Sequence, residues 1–543
     1  MIGVLANIQD EEIVREFFEL FKTAWEPYHP GRAYKVLLCA GEQEYDARDA
    51  QHVLVYSGCA LTCDFQDGIE LGSNSAGMLH FGKDELPVYG RCSTSLCAVP
   101  GVVQLRDATG RAALWQTEVE GRSIYRIGYD LFAEIRHLLS TGQPDSNAHI
   151  PALELHIDLL RQLLIALGVE FAEIPPRPVG HPFIACLTHD VDHPSLKLVG
   201  LNHTLIGLLY RATIGSVFAL LRRRIPPGDL LTNWRAAFCV VLLHLGVGRD
   251  FWQNFVRKYA EIEGNLPSTY FLIPFRHRAG IGARGRAERL RGVCYGIADI
   301  AFLAREITAS GSEVALHGLD AWADAERGKL EMAEVRRFTP SAELGVRSHW
   351  LFFDARSPAN FEKVGALYDS TVGYRTTVGY FSGTTQAYRL PGTQDLLELP
   401  MNAMDTALFS RAYLHLPEHK ATERMHQLIE ATNRMGGCLT INWHDRSIFP
   451  ERLWHRTYAD SLKNLKSRQV WFGTARQVTE WFRSRRAVQF QRIPGTDEIR
   501  IHMPETLTAG LPGLMVQHHN SRAASDFSTT AAGSADQTLT SAL

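Results

Sequence analysis

The sequence predicts an α/β protein whose largest part is built on parallel strands. Three observations carry that expectation. Between about 181 and 485, short apolar strand candidates (183–187, 268–274, 313–316 and 438–443) alternate with helical stretches such as 297–308 and 422–435. Most of these strands run straight into polar, reactive residues, and the carboxyl ends of parallel strands are where such folds place their sites. Hydrophobic residues make up 45% of the chain and charged residues 21%, enough to bury sizeable cores. The alternation alone leaves open whether the strands form a barrel or an open sheet.

A chain of 543 residues is expected to hold about three domains at roughly 150 residues each. Residues 1–175 read as an N-terminal α/β domain. In it, 8–25 has helical spacing through Ile13, Phe17, Phe18, Leu20, Phe21 and Trp25. Segments 35–40 and 53–56 read as strands, and 123–139 passes from strand to helix. A polar linker at 141–149 precedes a periodic helix at 153–167, and four prolines make 174–182 an extended connector. The central domain is assigned 181–485. Segment 486–515 is expected to be a small C-terminal β-hairpin region, its turn at Pro494-Gly495-Thr496-Asp497. The tail, 516–543, is rich in Ser, Ala and Thr and is expected to be disordered.

A net charge of −3 gives no electrostatic ground for nucleic-acid binding. The first residues lack a basic n-region and a long apolar core, so no signal peptide is expected there. Nine scattered cysteines favour reduced thiols and a cytoplasmic location. No transmembrane span is expected. The apolar runs 201–221 and 236–245, separated by Arg222-Arg223-Arg224, read either as buried or half-buried helices or as a membrane-surface pair.

Four motifs carry chemistry. Thr188-His189-Asp190-Val191-Asp192-His193 follows an apolar strand, and strand alternation puts Asp190 and Asp192 on one side. Two such carboxylates repel unless a proton or cation separates them. Glu313-Val314-Ala315-Leu316-His317-Gly318 delivers a histidine at a strand end. Gly345-Val346-Arg347-Ser348-His349 alternates an arginine and a histidine, and Arg347 can orient a carboxylate. Leu439-Thr440-Ile441-Asn442-Trp443-His444 ends in a histidine able to act as a general acid.

In this order, and with Ser268-Thr269-Tyr270-Phe271-Leu272 beside them, the motifs resemble those of the polysaccharide deacetylase superfamily over about 181–480. The resemblance implies a distorted (β/α)7 barrel and metal-dependent removal of an acetyl group from an N-acetylated sugar. It implies Asp190 as base, Asp192 and His317 as metal ligands, Arg347 as the orienter of Asp190 and His444 as acid. It implies a divalent metal, zinc by expectation. The family's second motif has another histidine where this chain has Ala321, so the third ligand is His349, Asp320 or water. Residues 368–371, 396–400 and Asp405 match a subset of the family tied to envelope polysaccharide synthesis, and are expected to wall the substrate cleft. The substrate is then a surface or exopolysaccharide glycan or its lipid-linked precursor, and other biosynthetic proteins are expected partners, with peripheral membrane contact through 201–245. Two alternatives stand beside this: another amide hydrolase on the same fold, or a degenerate glycan-binding scaffold.

Weaker patterns remain. The glycines at 280, 282 and 285 sit among arginines at 276, 278, 284, 286, 289 and 291. They read as a mobile basic loop or as a contact for an anionic substrate rather than a nucleotide fold. Cys59 with Cys63 and Cys92 with Cys97 are spaced too loosely for a zinc site and read as plain thiols.

Overall fold

Ile184–Val191 is buried at every position, as expected of a parallel strand covered on both faces. In the computed structural model it lies within a unit formed by His181–Gly379 and Gly392–Thr479. The structure describes all residues except 42–45, 63, 65–68, 96–102, 120–121, 284–287, 494–495, 497, 505–507, 521–528, 532–536 and 540–543. The strands of this unit are β1 (Ile184–Val191), β2 (Ser268–Leu272), β3 (Glu313–Gly318), β4 (Val346–Ser348), β5 (Tyr368–Asp369), β6 (Leu397–Glu398), β7 (Ala403–Met404), β8 (Cys438–Asn442) and β9 (Trp471–Phe472). Their order is β6-β5-β4-β3-β2-β1-β8-β7, with β9 also beside β1. Every one of these pairings is parallel.

The two ends of this order are neighbours in sequence. After β6, Leu399 N donates to Asp369 O and Met401 N to Val372 O; Asn402 N then donates to Thr440 O before β7 pairs with β8. One stretch, 397–404, thus bonds to both edges and curls the sheet.

Helices cover the strands because their apolar residues recur at helical spacing. Glu418–Met435 buries Ala421, Met425, Leu428, Ile429 and Thr432. Phe255–Glu263 ends at Gly264, whose left-handed backbone closes the helix. The helix expected at 297–308 opens as a 3-10 turn, Ile297–Ile300, and continues as Ala301–Ala309. Within 201–245 the helices are His203–Tyr210, a π turn Arg211–Gly215, Ser216–Leu221, and Pro227–His244, which opens on a proline at its first turn. By length and composition His203–Leu221 could cross a membrane, and 33% of it is buried. It is therefore less buried than a core helix.

The other unit comprises Met1–Gly180, Tyr380–Pro391 and Glu480–Leu543. Its main sheet runs Trp25–Pro27, Ile2–Leu5, Tyr34–Ala40, Ala50–Tyr56 and Arg122–Ile127 in parallel, then Leu114–Val119 antiparallel. The helix expected over 8–25 is shorter, Glu11–Phe21. It stops at Lys22, whose backbone is left-handed, so Trp25 starts a strand and stacks on Phe18 at 4.9 Å. Leu71–Phe81 and Asp84–Ser95 form a long hairpin that the sequence pattern does not predict, since its small polar residues lack alternation.

Gln489–Arg492 pairs antiparallel with Ile499–His502; Pro494, Gly495 and Asp497 of the expected turn lie outside the described residues. Residues 516–519 differ from the disorder expected of the tail. Met515–His519 pairs with Phe171–Glu173, Val516 is buried, and His519 Nε2 lies 3.1 Å from Glu173 Oε2. Cys59 and Cys92 are free thiols, while Cys63 and Cys97 lie outside the described residues.

Candidate active site

β1 runs past the expected 187 to Val191. Period-two alternation turns Thr188 and Asp190 to one side and His189 to the other. His189 is bonded away from the site: Nε2 meets Glu263 Oε1 at 2.9 Å and Nδ1 meets Trp443 O at 2.9 Å. Asp190 is buried and held at both oxygens. Arg347 Nη1 donates to Oδ1 at 2.9 Å, and Asn442 Nδ2 donates to Oδ2 at 2.8 Å. Burial alone would raise this carboxyl, but Arg347, His317 and His444 outweigh it and bring it down to about 2.

Arg347 is fully buried and uses all three of its nitrogens. It donates to Thr188 Oγ1 at 2.8 Å, Ser370 O at 2.8 Å and Ser370 Oγ at 2.9 Å, with Phe271 beneath its guanidinium at 4.2 Å. Residues 368–371 and 396–400, expected as cleft wall, brace this arginine instead. Ser370 Oγ bonds Leu399 O, while Asp369 accepts from Thr371 and Glu398 from Val372 N. Burial and the neighbouring Asp369 carboxyl hold Glu398 well above the usual range. Glu313 is likewise structural, accepting from Thr269, Tyr368 and Arg476 N.

Asp192, His317 and His349 form a second cluster. Their ligand atoms lie within 4.8 Å of one another. Asp192 Oδ1 is 3.7 Å from His317 Nε2 and 3.4 Å from His349 Nε2. That oxygen is buried with no hydrogen-bond partner, and a buried acceptor facing two imidazole nitrogens suits a cation. His317 Nδ1 meets Arg347 O at 3.0 Å, which fixes the tautomer that leaves Nε2 free. Burial pushes His317 down to about 4 and His349 well below its ordinary value, so both rings are neutral, as ligands must be. Burial raises Asp192 to about 7, with Asp445 and Asp190 adding to the rise and His444 opposing it. Two imidazoles and one carboxylate are a donor set that fits zinc with an open position.

The structure keeps Asp320 out of this cluster. Its Oδ1 accepts from Ile281 N and its Oδ2 lies 3.6 Å from Arg327. Ala321 is buried and packed: a Cβ on Gly328 of helix Ala325–Arg336 would meet it at 2.9 Å. No room exists there for an imidazole, and His349 arrives from the end of the adjacent strand. The chain turns sharply after His349 through Trp350 and Leu351, both left-handed at φ 65 and 52. Such residues each cost about 1–3 kcal/mol and persist where the surroundings enforce them. Arg291 supplies that force. It is buried and donates to His349 O as well as to Ala279, Ile281 and Leu319 carbonyls. Gly285, Arg284 and Arg286 of that loop lie outside the described residues.

His444 sits across the cluster, its Nε2 3.9 Å from Asp192 Oδ2. Asp405 grips it twice: Oδ1 is 2.6 Å from His444 Nδ1 and Oδ2 accepts from His444 N at 2.7 Å. Burial alone would lower this imidazole, but Asp405, then Asp192 and Asp190, raise it to about 9. Asp405, expected in the cleft wall, thus holds the candidate acid.

The sequence reading gives Asn442 no role, takes Ser370 as cleft wall and places Arg291 in a basic loop. Asn442 is within reach: it ends the strand Cys438–Asn442 two residues before His444 and sits opposite Thr188 in register. Arg291 gave no signal, because nothing local distinguishes it from its exposed neighbours.

No family model matches the chain, and the search of curated proteins gave no match. Solved structures similar to it include polysaccharide and carbohydrate deacetylases, along with a branching enzyme from Thermococcus kodakaraensis. One, from Mycobacterium smegmatis and assigned as a polysaccharide deacetylase, is 17% identical, with 59% of this chain and 99% of that chain covered and a TM-score of 0.35. A second, from Pseudomonas aeruginosa PAO1 and assigned likewise, is 15% identical, with 56% and 94% covered and a TM-score of 0.34. A third, the carbohydrate deacetylase Agd3, is 8% identical, with 99% and 97% covered and a TM-score of 0.38.

Proposed function

We propose that this chain is a metal-dependent hydrolase that removes the acetyl group from an N-acetylated sugar of a surface glycan or its precursor. One observation carries the reading. The unpartnered Asp192 Oδ1 converges with His317 and His349, between a carboxylate held ionised by Arg347 and an imidazole held protonated by Asp405. The motif resemblance in 181–480 supports it, and the strand pairings suit a (β/α)7 barrel in which 397–404 fills one position.

Asp192, His317 and His349 would hold the metal, zinc being the expected ion. Bound there, it would supply polarisation of the acetyl carbonyl and a lower pKa for water. Asp190 takes the proton of the attacking water, since Arg347 and Asn442 fix both its oxygens and Arg347 keeps it ionised. A carbon–oxygen bond forms and the carbon–nitrogen bond breaks. His444 Nε2 gives its proton to the leaving nitrogen, and Asp405 orients the ring for that transfer. The products are acetate and a free amino sugar.

The test is acetate release from N-acetylated oligosaccharides by the purified protein supplied with zinc, with Asp190→Asn as control. Release abolished by that substitution supports the reading. No release from any N-acetylated glycan, by protein shown to carry metal, overturns it.

A further inference from the structure

Among the described residues, twelve of the seventeen exposed large apolar side chains fall between positions 201 and 247. Ten of them form two stripes. Along His203–Tyr210, the π turn Arg211–Gly215 and Ser216–Leu221, the exposed residues are Ile206, Tyr210, Ile214, Phe218 and Leu221. Along Pro227–His244 and just beyond, they are Leu231, Trp234, Phe238, Val241 and Leu245. Steps of three and four place each set on one helix face. The opposite faces are buried, through Leu205, Leu208 and Ala212 on one and Ala236, Val240 and Leu243 on the other. Each helix is therefore apolar on two sides, and only one side is covered.

An apolar surface of this extent marks an interaction site, and the charges beside it select the occupant. Residues 201–249 contain Arg211, Arg222, Arg223, Arg224, Arg235 and Arg249 but a single carboxylate, Asp229. Asp229 is buried and paired with Arg456. Exposed arginines with no exposed carboxylate among them complement a phosphate-rich surface. Tyr210 and Trp234 add rings of the kind that settle at a lipid–water boundary.

We propose that this helix pair docks on an anionic lipid bilayer. It lies in the plane of the headgroups rather than across the membrane, because one face of each helix is already committed to the protein.

A cavity of about 460 Å³ behind the first helix fits this assignment. Arg211 and Arg224 line it from the helix side, Arg411 and Arg452 from facing loops, and Arg456 from the helix His455–Ser467. Asp229 and Glu418 in its lining pair with Arg456, and Glu451 accepts from Trp252. Arg211 Nε and Nη2 and Arg452 Nε are buried donors with no acceptor. A headgroup phosphate has the oxygen acceptors that such guanidinium groups bind.

Binding is read without turnover, so the inference stands apart from the hydrolase reading. The full chain is sedimented with vesicles of phosphatidylcholine, or of phosphatidylcholine with phosphatidylglycerol. We expect binding to the anionic vesicles, weaker binding to the neutral ones, and loss with added salt. Ile214→Glu with Phe238→Glu should abolish binding while circular dichroism stays unchanged. Arg222→Gln, Arg223→Gln and Arg224→Gln together should weaken it on the order of a hundredfold. Protein that stays in solution with both vesicles overturns the proposal, as does equal binding by the Glu variant. So does a dimer, seen by light scattering and dissociated by the Glu variant, in protein that ignores vesicles; that result assigns the face to a second copy.

Discussion

Replacing Arg347 with methionine should destabilise the protein strongly, and neutralising Asp190 as well should restore part of the loss. Arg347→Met removes a fully buried guanidinium that donates to Asp190, Thr188 and Ser370. Met fills similar space over Phe271, so the cavity contribution is small. The dominant cost is Asp190, left as a buried carboxylate whose strongest compensating charge is gone. Breaking a buried pair in this way costs about 3–5 kcal/mol. In the double variant Arg347→Met with Asp190→Asn, position 190 is neutral and Asn442 can still bond it. A coupling of about 2 kcal/mol in favour of the double variant is therefore expected, within the range for contacting residues. The assay is urea unfolding of the wild type, both single variants and the double variant, followed by tryptophan fluorescence. A double variant destabilised by the sum of the two single losses would refute the argument that burial of an unpaired charge is what Arg347 prevents.

Three other outcomes follow from the geometry. His317→Ala and His349→Ala should each lower zinc stoichiometry measured by elemental analysis, whereas Asp320→Ala should leave it unchanged, because Asp320 is bonded to Ile281 N. His444→Ala should cut kcat by about 10² to 10⁴ while zinc content stays intact; a variant that loses its metal would reassign His444 as a ligand. Glu331 is buried with its carboxyl raised to about 8, chiefly by burial and then by Asp320, while the backbone N–H groups of residues 319–321 oppose the rise. An acid with a raised folded pKa contributes stability below its ordinary value near 4.5 and loses it as pH climbs toward 8. Stability should therefore fall over that window in urea titrations, and Glu331→Gln should flatten the slope.

Much of the candidate site is legible in the sequence because strand ends announce it. Asp190, Asp192, His317 and His444 follow apolar runs, Arg347 and His349 alternate just beyond Val346, and the structure brings the six together. Braces acting across chain distance are less legible. Ser370 meets Arg347, and Leu399 O meets Ser370, only after the chain has curled, and Arg291 clamps His349 from 58 residues away. Asp405 was flagged, but as a wall, since its grip on His444 spans 39 residues. The choice between His349 and Asp320 turns on contacts that no spacing rule contains: Asp320 accepts from Ile281 N, whereas His349 Nε2 faces Asp192. The tail misled through composition: Val516 and His519 are enough to anchor a short strand whose neighbours are small and polar.

Arg347 serves its surroundings through two chemically separate parts. Its side chain governs the carboxylate at 190, while its main-chain carbonyl sets the ring of His317. A carbonyl is common to every residue type, so substitution at 347 alters the proton acceptor and spares the imidazole. The two tasks are thus separable in chemistry but not in stability, because the buried carboxylate at 190 must be neutralised before the guanidinium can be given up. A lineage shedding this arginine would therefore be expected to change position 190 first, while the carbonyl at 347 went on holding the His317 ring.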